Sequence, residues 1–212
     1  MEMNFFITVF FITLLSYVIS FTIGFILAKM QLLNMKLSAK ENILFKVPFT
    51  HWLQARIHKN RIKYINEKRW FKIFIIIFIN NFFVVAFIAR TIWGIIFLIQ
   101  LLWLVREGIR HAIIYQKTKP NIVFYFEYGA LLLASSFGIT IGLSLMLSII
   151  KSDFNIFALS IENAIYVYPI IFVLIFIGAL IETVMLKRFN ITIPENVDFA
   201  MLKEKALEMF NK

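Results

Sequence analysis

Four polar side chains stand where a membrane-embedded chain could do chemistry: Asn80, Asn81, Glu127 and Glu182. Each interrupts an apolar stretch. Glu127 is the seventh residue of the run 121–150, the asparagine pair breaks the run ending at 89, and Glu182 lies one helical turn beyond Gly178 and Ala179. Intramembrane carboxylates serve in proton or solute relays, and nearby side-chain amides can hold them in place. A carboxylate there costs roughly 2.5–3.5 kcal/mol on insertion scales, so it faces protein or water rather than lipid. The plainer chemistry for the same residues is an interhelical clamp, with one or both glutamates protonated and bonded to an amide.

Other chemistries find little support. The chain has no cysteine, which excludes disulfides, thiolate metal sites and cysteine nucleophiles. It contains no H-E-x-x-H, G-x-S-x-G or P-loop sequence. Ser135 and Ser136 lie in a helix rich in Gly and Ala, where serine packs or bonds its own backbone. His51 and His58 are seven residues apart on one expected helix but have no third ligand. We therefore expect no catalytic residue, metal or cofactor.

These side chains need elements to position them. Of 212 residues, 61% are hydrophobic, against about half in a soluble domain, so most of the chain belongs in lipid. Apolar runs long enough to be read as spans occupy 5–28, 71–89, 91–105, 121–150 and 161–186. The third is short, and it either crosses incompletely or extends into the Arg106 region. The second and third form a hairpin turning near Arg90 to Gly94. The expected fold is all-α: a polytopic membrane helix bundle of five transmembrane helices with a cytoplasmic amphipathic helix. Its parts are a first transmembrane helix (1–28), a basic cytoplasmic segment (29–70), a four-helix membrane core (71–186) and a cytoplasmic amphipathic tail (187–212).

The net charge of +10 invites a nucleic-acid reading, but its placement argues for topology. Lys and Arg number eleven in 29–72, four in 106–119 and five in 187–212, against only Arg90 and Lys151 on the other side. This asymmetry puts the N-terminus outside and the C-terminus in the cytoplasm of a cell membrane. The first run has no basic leader and no A-x-A site, so it reads as an uncleaved anchor. Pro48 opens a helix over about 50–69 with Trp52, Leu53, Ile57, Tyr64 and Ile65 loosely on one side, suited to an anionic inner leaflet. In the tail, Phe199, Leu202, Ala206 and Met209 form a second stripe, to rest on the membrane or on another protein. Expected partners are the anionic bilayer and membrane or cell-envelope proteins, without nucleic acid.

Small residues recur at every fourth place of the Glu127 helix: Ala130, Ala134, Gly138 and Gly142. They build one smooth ridge on which another helix backbone can approach closely, within the chain or in a homo-oligomer. At ~1.5 Å per residue, Asn80, Glu127 and Glu182 all fall roughly 7–14 Å from the basic boundary. They can form one polar layer, with an amide for each carboxylate. A relay would need polar continuity across both leaflets. The other half supplies only Glu162, Asn163 and Arg90 near its end, which favours the clamp.

Three ordered pieces resemble the stage II sporulation protein M family of integral membrane proteins. They are the paired-asparagine stretch 78–87 with Gly94 downstream, Glu127 followed by Ala130, Leu131 and the Gly138 to Gly142 helix, and Ala179-Leu180-Ile181-Glu182. The likeness covers roughly 70–186. Where the family has His-Gly before the glutamate this chain has Val123 and Phe124, and Glu107-Gly108 stands where Asn-Gly is usual. The resemblance implies a five-helix, non-enzymatic scaffold that positions partner proteins at the membrane. The competing expectation is a small transporter, or a membrane subunit of an ATPase-driven one, with the Glu/Asn layer on its pathway.

Overall fold

The computed structural model describes residues 3–30, 48–117, 122–162 and 164–188. The described residues are helical apart from short turns. In chain order they form α1 (Met3–Lys29), α2 (Pro48–Asn66), α3 (Trp70–Ile79), a π-helix (Asn80–Ile92), a 3-10 turn (Trp93–Ile95), α4 (Phe97–Lys117), α5 (Ile122–Lys151), α6 (Asn155–Glu162) and α7 (Ala164–Arg188). Four stretches are long and apolar enough to cross a membrane: Asn4–Lys29, Trp70–Ile95, Ile122–Lys151 and Asn155–Arg188.

The expected turn at Arg90 is corrected, and the third run takes the longer of its two expected forms, extending through the Arg106 region. The chain does not turn at Arg90; helical structure continues through it to Ile95, and Ile96 breaks the run with φ −89° and ψ 75°. The next helix does not stop at Val105 but runs on to Lys117. Arg106, Glu107 and Arg110 lie inside it, and these charges keep α4 out of the set of apolar spans. Sequence hydropathy ended the helix where charges began, whereas the helix is held by its packing on α1. The expected tail helix lies outside the described residues.

α5 is the hub. In its most apolar window 67% of residues are buried, against 22–31% in the other three spans. Its neighbours surround it: α1 and α7 run antiparallel to it, through Phe6–Phe137 and Phe137–Tyr168 ring contacts at one level and Tyr17–Tyr128 lower down. The π-helix runs parallel to it, and α4 antiparallel, through Gln100–Ser135. The lipid-facing side of α1 carries Phe11, Ile12, Leu15 and Ile19, all exposed. That pattern suits a helix that borders hydrocarbon on one side.

Glycine decides how closely backbones approach. A Cβ on Gly138 would sit 2.5 Å from the Arg90 carbonyl oxygen and 2.7 Å from that of Thr91. One on Gly94 would meet the Gly138 Cα at 2.6 Å, and one on Gly142 would overlap the Ile95 carbonyl. The ridge is therefore filled by the chain's own π-helix and 3-10 turn. A second glycine contact joins α1 to α4, where a Cβ on Gly24 would lie 2.7 Å from the Ile109 Cα and one on Gly108 2.9 Å from the Tyr17 carbonyl oxygen.

The π-helix bonds i to i+5, a form that is rare beyond one turn. The wider turn stacks residues five apart. Asn81, Ala86 and Thr91 all reach α5: Asn81 bonds Glu127, Ala86 packs with Ala130 and Ala134, and the Thr91 hydroxyl lies 3.4 Å from the Ala134 carbonyl oxygen. An α-helical period would have turned Ala86 away from the line joining the other two.

Two turns close in the same way. Lys68 (φ 55°) and Ser152 (φ 51°) adopt left-handed conformations after α2 and α5. Arg69 N–H then bonds the Tyr64 carbonyl at 2.9 Å, and Asp153 N–H that of Ser148 at 3.0 Å. These are the i to i−5 bonds of a Schellman cap. The first folds α2 back on α3, where Ile62 and Ile65 are buried with Ile73, Ile77, Ala179 and Leu186.

Candidate functional site: buried polar groups around α5

The π-helix and α5 bring Asn80, Asn81 and Glu127 together. Asn81 Nδ2 donates to Glu127 Oε1 at 2.5 Å, and Asn80 Nδ2 donates to Asn81 Oδ1 at 3.0 Å. The Asn81 amide thus accepts on one side and donates on the other. Gly178 of α7 leaves room for the carboxylate stem, since a Cβ there would lie 3.0 Å from Glu127 Cγ.

Glu182 does not join this set. It is ion-paired with Arg61 of α2, both side chains being about a fifth exposed (22% and 23%). Its partner is a cation from the segment before α3 rather than an asparagine amide. The pair clamps the base of α7 to α2 beside the Ile62 and Ile65 contact.

A second cluster lies on the other side of α5. Glu107 of α4 is 7% exposed; Arg110 Nη1 lies 3.4 Å from its Oε1 and His111 Nε2 3.6 Å from its Oε2. The other ring nitrogen, His111 Nδ1, is 3.1 Å from the Tyr17 hydroxyl of α1. Tyr128 of α5 packs on both, with ring centroids 4.6 Å from Tyr17 and 4.6 Å from His111. Above them Arg90, 3% exposed, sets its guanidinium carbon 2.9 Å from the centre of the Trp103 ring. Glu107 and Tyr128 are within electrostatic range of it.

Sequence reasoning placed Arg90 at an outer turn and read Glu107-Gly108 only as a departure from a family motif. The signal that would have found them was α4's own period. Gln100, Leu104, Glu107, Gly108, His111 and Ala112 recur at helical spacing, and all but half-buried His111 are buried. That period continues unbroken past Arg106.

Smaller bonds tie the rest. Gln100 Nε2 donates to Ser135 Oγ at 2.7 Å, the hydroxyls of Thr13 and Ser136 are 2.5 Å apart, and Tyr168 donates to Thr91 Oγ1 at 2.5 Å. Ser136, Thr140, Ser144 and Ser148 each donate to a carbonyl of α5 itself. An apolar groove of about 470 Å³ between the π-helix, α5, α6 and α7 has only Thr91 and Tyr168 as polar lining. Among the described residues no three His, Asp or Glu side chains gather as metal ligands. The side chains of His51 and His58 lie outside the described set. Comparison with protein-family models, curated proteins and solved structures gave no match.

Proposed function

We propose that this chain is a non-enzymatic membrane scaffold that positions partner proteins at the bilayer. One observation carries the reading: Glu107, Glu127 and Glu182 each have a partner on the chain itself. Carboxylates committed to clamps hold helices together, and a solute path would need some of them to face a pore. The ordered motifs that resemble the stage II sporulation protein M family support the same assignment. In this reading α4 is the fifth transmembrane helix, its charged side turned to α1 and α5. At 21 residues and ~1.5 Å each it is long enough to cross.

The partner surface in this reading is α2. The Arg61–Glu182 pair and the Ile62 and Ile65 contacts fix it to the bundle, while Arg56, Lys59 and Lys63 are exposed. The positive-inside asymmetry assigns this face to the cytoplasm, beside an anionic leaflet. It suits an acidic partner. The test is co-purification from native membranes of the wild type and of an Arg56→Glu/Lys59→Glu/Lys63→Glu variant. Loss of a stoichiometric partner from the folded variant is expected. Glu127→Gln-sensitive, pH-dependent flux in proteoliposomes, with partner capture unchanged by the charge reversal, would replace the scaffold by the transporter.

A further inference from the structure

Among the described residues only three buried side-chain polar atoms have no hydrogen-bond partner, and all three belong to two neighbours: Nε and Nη1 of Arg90 and the hydroxyl of Tyr128. Arg90 is 3% exposed and Tyr128 7%. A guanidinium has only donors and keeps its charge, so burial without acceptors is costly. The groups nearby are already engaged. The carboxylate of Glu107 faces Arg110 and His111, and the Tyr17 hydroxyl bonds His111 Nδ1.

From this arrangement we infer that Arg90 and Tyr128 form a binding site for a phosphate group inside the helix bundle. Trp103 stacks on the face of the guanidinium, which leaves its in-plane N–H groups free. Nε–H and Nη1–H lie on different edges of the guanidinium, and each forms with Nη2 a fork that binds two oxygens of an oxyanion side by side. The Tyr128 hydroxyl lies beside that of Tyr17 and becomes a third donor by turning to a phosphate oxygen, and a phosphate group offers three strong acceptor oxygens. Half-buried Trp103 of α4 shields the site, and the π-helix places Arg90. The phosphate is supplied either by a phospholipid headgroup drawn between helices or by the free ion. The inference does not rest on the scaffold reading: the charge-reversed α2 variant leaves this site intact.

The test is a titration of purified, delipidated protein with inorganic phosphate, followed by tryptophan fluorescence. Native mass spectrometry of protein from phosphatidylglycerol nanodiscs reads retained lipid in parallel. Free phosphate as ligand gives a saturable fluorescence change that Trp103→Phe abolishes, and affinity falls at least tenfold in Arg90→Gln and severalfold in Tyr128→Phe. A lipid headgroup as ligand gives no such titration, but one phospholipid per chain survives delipidation and is lost in the same two variants. If Arg90→Gln does not fold, Tyr128→Phe decides, since it keeps the ring stack and removes only the hydroxyl. Phosphate binding and lipid retention that are both absent, or both unchanged in Tyr128→Phe, overturn the inference.

Discussion

Two glycines nine residues apart on α5 separate packing from propensity. At Gly138 a methyl group would stand 2.5 Å from the Arg90 carbonyl oxygen, 2.7 Å from that of Thr91 and 2.9 Å from the Gly94 Cα. These are backbone atoms, so no rotamer change relieves the clash. α5 and the π-helix must separate, as in an overpacked core, at a cost of about 1–3 kcal/mol. The separation also strains the Asn81–Glu127 bond, worth about 0.6 kcal/mol by the average for bonds between membrane helices. At Gly129 a Cβ meets nothing within 4 Å, and replacing helical glycine by alanine gains about 0.8–1.0 kcal/mol. Gly138→Ala shares that gain, so the two variants should differ by the clash alone, roughly 1–3 kcal/mol. Reversible unfolding in mixed micelles, followed by circular dichroism, measures both. Equal stability of the two variants would refute the close crossing at Gly138.

Asn81→Ala should destabilise by about 1–2 kcal/mol, because Glu127 loses its amide donor. The loss should shrink in a Glu127→Gln background, as a double-mutant cycle reads. Arg61→Ala should change global stability by less than about 1 kcal/mol, since the pair is partly exposed. It should still speed proteolysis within α2, and rising salt should narrow its difference from wild type. Gly108→Leu should prise α1 from α4, seen as lost cross-linking between cysteines introduced at Phe21 and Tyr115, whose rings lie 5.8 Å apart. Ser152→Gly should raise the unfolding free energy by up to about 1 kcal/mol, read in the same micelle assay, because glycine adopts the left-handed turn without strain.

Much of this arrangement was legible because lipid leaves few choices. Long apolar runs had to be helices, and small residues at every fourth place had to meet a backbone; Gly138 and Gly142 do. The asparagine pair and Glu127 could be set at one depth from helix rise alone. Glu182 escaped because its partner is Arg61, a residue from a segment that hydropathy reads only as basic and polar. Arg90 escaped for a different reason. An α-helical period and a charge between two apolar runs both suggest a turn, and nothing local in the sequence announces thirteen residues of π-helix. The length of α4 stayed open because a charge usually ends a span, while here Glu107 is paired with Arg110 and His111 of the same helix, and His111 reaches Tyr17 of α1 and Tyr128 of α5.

The two polar clusters do different work because α5 presents them to different neighbours. Glu127 looks toward Asn81 and Gly178, Tyr128 toward Tyr17 and His111, and the two are adjacent in sequence. A helix turn of 100° per residue, set by 3.6 residues per turn, sends neighbouring side chains to different faces. On the first face each polar group ends on another, and the set is closed. On the second, donors outnumber acceptors: Arg90 and Tyr128 bring N–H and O–H groups that no carboxylate among the described residues hydrogen-bonds, although Glu107 lies within electrostatic range. A charged residue at the bilayer centre costs roughly 2.5–3.5 kcal/mol, and a single cation–π contact offsets only about 2 kcal/mol of that when desolvated. The remainder favours whatever oxyanion completes the fork. The first cluster is thus built for holding, and the second for taking up an acidic group.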